Sequence, residues 1–97
     1  MYTAENLLAM GKVYRGILKV LNGGKRDPYE QISQILPMKC IVMTFPRAAS
    51  MHIPEDLDRE IAELMDGLTP EDMEEMMDKP VPMDLRMNWI KGYMGYA

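Results

Sequence analysis

The sequence holds one cysteine, Cys40, and one histidine, His52, and each scarcity closes off a class of chemistry. A single thiol has no intramolecular disulfide partner, which fits a reducing compartment. A structural zinc site takes four Cys or His ligands, and only these two residues are present. A Cys–His nucleophile pair needs an orienting motif, and neither residue sits in one. There is no glycine-rich phosphate loop and no D-x-[DN]-x-[DN]-G calcium loop. Long apolar runs are also missing: the longest, about Cys40 to Phe45, is far short of the ~20 residues of a membrane helix. The first residues lack the basic region and apolar run of a secretory signal. These absences predict a cytoplasmic protein that is not an enzyme. They also predict no cofactor, no metal, no small-molecule substrate and no membrane contact.

What the chain does have is charge, segregated by sign. Residues 1–50 carry seven Lys/Arg against three acids, a net of +4, and residues 51–97 carry twelve acids against four Lys/Arg, a net of −8. A split of that size predicts a part that fits between other surfaces, one face toward an anion and another toward a protein. Methionine is the second excess, at twelve residues. An unbranched, polarizable side chain fills gaps in a core and adapts to partners when exposed. Most of the methionines are assigned to packing. Met73, Met76 and Met77 crowd a short acidic helix, and with Glu71, Glu74 and Glu75 they form the candidate protein-interaction set. A thioether copper site is set aside because so acidic a helix offers no second soft ligand.

Ninety-seven residues predict one domain spanning 1–97. Thr3 caps a first helix that Asn22-Gly23-Gly24 stops, and Leu7, Met10, Tyr14, Ile17, Leu18 and Leu21 recur at helical spacing as its buried stripe. Gly11 and Gly16 weaken this helix unless a closely packed neighbour uses their missing side chains. Asp27-Pro28-Tyr29-Glu30 starts a second helix, closed or kinked by Pro37. Residues 38–45 favour a strand by propensity, but a lone strand has no partner, so they are read as a buried helical turn. Residues 46–53 read as a connection. Pro54-Glu55-Asp56 opens a helix with a stripe of Leu57, Ile61, Leu64, Met65 and Leu68, ended by Gly67. Thr69-Pro70-Glu71-Asp72 caps an acidic helix to Lys79, Pro80-Val81-Pro82 is an extended break, and a last helix covers about Met83 to Met94 with Trp89 and Tyr93. The fold expected is all-α, a small antiparallel helical bundle of four to six helices. The expected core is Leu7, Tyr14, Ile17, Leu21, Ile35, Leu57, Ile61, Leu64 and Trp89.

Lys12, Arg15 and Lys19 share one side of the first helix, and Lys25 and Arg26 continue past its end. Such a row suits a phosphate backbone, with Arg15 offering a bidentate contact, and it is the candidate nucleic-acid-binding set. The acids Glu55, Asp56, Asp58, Glu60 and Glu63 are read as a solvated helix face. Gly92, Tyr93, Gly95 and Tyr96 look like a flexible aromatic tail.

The order of landmarks resembles the C-terminal helical region of the large subunit of type I-C CRISPR surveillance complexes, a region also made separately as the small subunit. The resemblance lies in the leucine-rich Leu7-Leu8-Ala9-Met10-Gly11-Lys12-Val13-Tyr14, the helix start Asp27-Pro28-Tyr29 and the Pro-led apolar helix from Pro37 to Phe45. It continues in the acidic Glu60-Ile61-Ala62-Glu63-Leu64-Met65-Asp66, the break Pro80-Val81-Pro82-Met83 and the ending Trp89-Ile90-Lys91-Gly92-Tyr93. The chain departs from that family in its ending and in the acid of its second half. The resemblance implies a non-catalytic subunit packed beside other protein subunits, its basic face holding a displaced strand by charge. An alternative from a different class is an acidic phage-encoded inhibitor that imitates nucleic-acid charge and binds a host protein. A third is an adaptor that binds one protein through its Met-rich helix.

Overall fold

The computed structural model describes residues 1–23, 25 and 30–95. Within them lie six α-helices and one short 3-10 turn: α1 (Ala4–Asn22), α2 (Glu30–Ile35), α3 (Pro37–Ala49), α4 (Glu55–Asp66), α5 (Pro70–Asp78), the 3-10 turn Met83–Leu85 and α6 (Arg86–Met94). The all-α expectation holds, and no strand occurs among the described residues. The Asp27-Pro28 helix start, Arg26 and Tyr96 lie outside them.

Two capping boxes fix the starts of α1 and α5, at the Thr3 and Thr69 caps expected from the sequence. Thr3 Oγ1 accepts from the Asn6 amide at 3.1 Å while Asn6 Oδ1 accepts from the Thr3 amide at 2.9 Å. Thr69 and Asp72 repeat the exchange at 3.1 Å in both directions. Each box satisfies donors that a bare helix end leaves unpaired. Gly23 ends α1 in the left-handed conformation, φ 72°, which only glycine adopts cheaply.

Residues 38–45 are helical, led by Pro37 at the first helical position. The Thr44 hydroxyl donates to the Cys40 carbonyl at 2.7 Å, so a residue with strand propensity is satisfied within the helix. Where a connection was expected from Pro46, α3 instead runs through that proline to Ala49. Burial explains the difference. Pro46 sits on the exposed side while Phe45 packs against the core and Ala48, two residues beyond the proline, is fully buried, and that packing holds the chain helical past the lost hydrogen bond. The extended break at Pro80-Val81-Pro82 is stapled to the end of α2: the Val81 amide donates to the Ile35 carbonyl at 2.8 Å.

The core forms around α1, which packs most extensively on α6 and then on α3 and α4. Gly11 of α1 and Gly92 of α6 sit at the α1–α6 crossing. A Cβ on Gly11 would fall on the Trp89 carbonyl oxygen and 2.7 Å from the Tyr93 nitrogen. One on Gly92 would fall on the Leu8 carbonyl oxygen and 3.1 Å from the Lys12 nitrogen. The two backbones therefore touch, and the glycines are what permit it. Beside this crossing Trp89 and Tyr93 stack at 4.9 Å, and Tyr14 lies 6.2 Å from each ring. The tail reading is corrected here, because Gly92 and Tyr93 are buried where α6 meets α1. Of the expected core, Leu21 and Ile35 are only half-buried; Met10 of the buried stripe and Met38 and Ile41 of the buried turn are buried as expected, and Met76 and Val81 join them.

Candidate functional site

The acidic surface is built by two consecutive helices joined by Gly67-Leu68-Thr69. Residues 55–78 contain eleven acids and one base, Arg59, a net of −10. Leu57, Ile61 and Leu64 turn one side of α4 into the core, so Glu55, Asp56, Asp58, Glu60, Glu63 and Asp66 are all exposed. On α5, Glu71 and Glu74 are exposed and Glu75 is half-buried.

The start of the chain is laid against α5. The Met1 ammonium lies 2.5 Å from an Asp72 carboxylate oxygen and 3.4 Å from Glu75 Oε2. That ammonium, with the Thr69 amide and hydroxyl, holds the Asp72 carboxyl down at about 2. The buried Tyr2 hydroxyl donates to the Met76 and Lys79 carbonyls at 3.1 and 2.7 Å, satisfying groups that the end of α5 would otherwise leave bare. Burial, aided by the charge of Glu75, pushes the Tyr2 phenol up to about 12.

Met76 does not belong to the interaction set. At 0 % exposure it lies in the core, and Met73 and Met77 are half-buried against it. An amphipathic helix this short needs an anchor, and its methionines are the only large apolar side chains it has. Methionine is exposed elsewhere, at Met43 of α3 and at Met87 and Met94 of α6.

The basic set divides as well. Lys19 and Lys25 are exposed, whereas Lys12 and Arg15 are half-buried. The Arg15 guanidinium stands over the Tyr93 ring, 5.4 Å from its centroid. Lys12, Arg15 and Lys19 line one wall of an open groove whose other side carries His52, Asp56 and Glu60. Lys12 and Glu60 also line a second groove, in which the Thr3 cap and residues 5–9 of α1 face Glu63 to Leu68. The two grooves together show that α1 and α4 run antiparallel. That pairing was invisible in the sequence, where the α4 acids read only as a solvated face. Its one sequence trace is the match of a basic α1 to an acidic α4.

Cys40 is buried on α3 and His52 is exposed in the connection before α4. No group of three or more His, Cys, Asp or Glu side chains converges on a metal position among the described residues. No helix there is long and apolar enough to cross a membrane. What fold and surface define together is a small all-α bundle with an acidic pole and a basic edge. Compared with known proteins, the chain matches no family model, no curated protein and no solved structure.

Proposed function

We propose that the protein is a non-catalytic helical subunit of a ribonucleoprotein assembly of the CRISPR type. In this reading its acidic α4–α5 surface docks on a basic surface of another protein subunit, and its basic edge lies along a nucleic-acid backbone. The observation that carries the reading is the separation of charge along α1. The acidic α5 begins beside Met1 and Thr3, while Lys19 stands near the other end of the helix. Sixteen residues at a rise of 1.5 Å place that end about 24 Å away, two to three Debye lengths at physiological salt. The α5 acids are therefore screened from Lys19 and act on their own neighbour, whereas Asp56 and Glu60 of α4 stand across the groove from the basic edge. Phosphate contact at the basic edge is sequence-independent and salt-sensitive.

The test is affinity for single-stranded nucleic acid of mixed sequence across a salt series. Lys19→Glu and Lys25→Glu are the variants of choice, since Arg15 also packs on Tyr93 and its loss perturbs the core. Each is expected to lower the slope of log K against log salt by about 0.7–0.9. Affinity unaffected by either change rules out the nucleic-acid half of the proposal.

The inhibitor reading is favoured by one observation of its own. Asp56 and Glu60 face Lys12, Arg15 and Lys19 across their groove and lower its positive potential, while the outward acids of α4 and α5 stay uncovered. It expects silent basic variants and loss of protein binding when Glu71, Glu74 and Glu75 become Gln.

A further inference from the structure

The first half of α1 and the second half of α4 leave an open groove between them, reaching to the start of α5. Leu8, Ala9, Leu64 and Leu68 give it an apolar lining, and Glu5, Glu60, Glu63 and Asp72 give it an acidic one. Leu8, Ala9 and Leu68 stay partly exposed, so apolar surface is left in contact with water. Glu5, Glu60 and Glu63 are exposed and make no ion pair among the described residues; Asp72 is taken by the Met1 ammonium. Two cations join the lining: the Met1 ammonium, held by Asp72 and Glu75, and Lys12, which stands at the end shared with the neighbouring groove.

The main walls are α-helices whose backbone groups are paired internally, so an extended peptide finds no sheet edge to join. A helix carries its own backbone pairing and suits such a cleft. Along α1 the groove runs from Thr3 to Lys12, about 14 Å at 1.5 Å per residue, or two and a half helical turns. That length accepts apolar anchors at i, i+3 or i+4, and i+7. The acids beside it require Lys or Arg flanking those anchors. We propose that this groove docks a basic amphipathic helix of a partner protein. The proposal rests on the protein-docking half of the reading above and names the partner's chemistry.

The probe is a fluorescein-labelled peptide of ~14 Leu and Lys residues with leucine at helical spacing, compared by anisotropy with the same residues scrambled. The helical peptide is expected to bind about ten-fold tighter than the scramble. Glu5→Lys with Glu63→Lys, both exposed positions checked for folding by circular dichroism, is expected to weaken it about ten-fold. Glu74→Lys, on α5 outside the groove, is expected to weaken it less than about three-fold. Methyl spectra should shift at Leu8, Ala9 and Leu68. Equal affinity for the scramble, an equal loss from Glu74→Lys, or shifts at Met87 and Met94 instead would overturn the groove while leaving an acidic docking surface intact. Absence of binding by either peptide at low salt would remove that surface along with the groove.

Discussion

Replacing Gly92 with alanine adds one methyl group where two helix backbones already touch. The new Cβ would fall on the Leu8 carbonyl oxygen and 3.1 Å from the Lys12 nitrogen. These are backbone atoms of another helix, so no rotamer change relieves the clash and α1 and α6 must separate. Separation loosens the Tyr14–Trp89–Tyr93 cluster beside the crossing. Overpacking of this kind costs about 1–3 kcal/mol or more, and the better helix propensity of alanine returns about 1 kcal/mol. With no side chain able to yield, we expect a net loss of about 2 kcal/mol, a fall in Tm of about 8–16 °C for a domain of this size. Gly11→Ala meets the Trp89 carbonyl oxygen and should behave alike. The double variant should cost less than the sum, because the first change has already parted the helices. Gly16→Ala is the control. Its nearest obstacle is Leu57 Cδ1 at 2.5 Å, the end of a side chain that can turn away, so it should stay within about 1 kcal/mol of the parent. Thermal melts followed by circular dichroism measure all four. A Gly92→Ala protein as stable as the parent would refute the backbone-to-backbone crossing.

Leu64→Ala removes a buried anchor of α4 and should cost about 2–5 kcal/mol in urea unfolding. Tyr2→Phe leaves the Met76 and Lys79 carbonyls without their donor and should cost about 1–3 kcal/mol, read in the same assay. Because the Tyr2 phenol is raised to about 12, the unfolded chain loses its proton first, so stability should fall as pH rises from about 10 to 12, and Tyr2→Phe should flatten that fall. Asp72 has the opposite sign: its carboxyl is lowered to about 2, so its contribution is present above about pH 4 and should be lost on acidification toward pH 2, a slope that Asp72→Asn removes.

The local features were legible because they are set within a few residues. Thr3 and Thr69 cap helices through partners three positions away, and Gly23 stops α1 through its own backbone freedom. The stripes Leu7–Met10–Tyr14–Ile17 and Leu57–Ile61–Leu64 follow from helical period alone, and both are buried. Segregated charge was equally plain. What proved illegible depended on distant pairs. Pro46 is a helix breaker in isolation, and α3 continues past it where Phe45 and Ala48 on either side pack into the core. Met76 and Met87 have the same side chain, yet one is in the core and the other is 59 % exposed, since α5 and α6 turn different faces to their neighbours. Gly92 and Tyr93 read as a loose ending until α1 supplies, at Gly11, a surface flat enough to receive them.

By itself the sequence determined that this chain is helical, where most of its helices begin and end, and that its halves carry opposite charge, since all three depend on short-range geometry and composition. The tertiary structure decided which charges face one another, Glu60 and Asp56 across from Lys12, Arg15 and Lys19, and which apolar residues stay partly uncovered between α1 and α4. Both depend on the antiparallel pairing of helices some forty residues apart in the chain, held by close packing that no local period encodes.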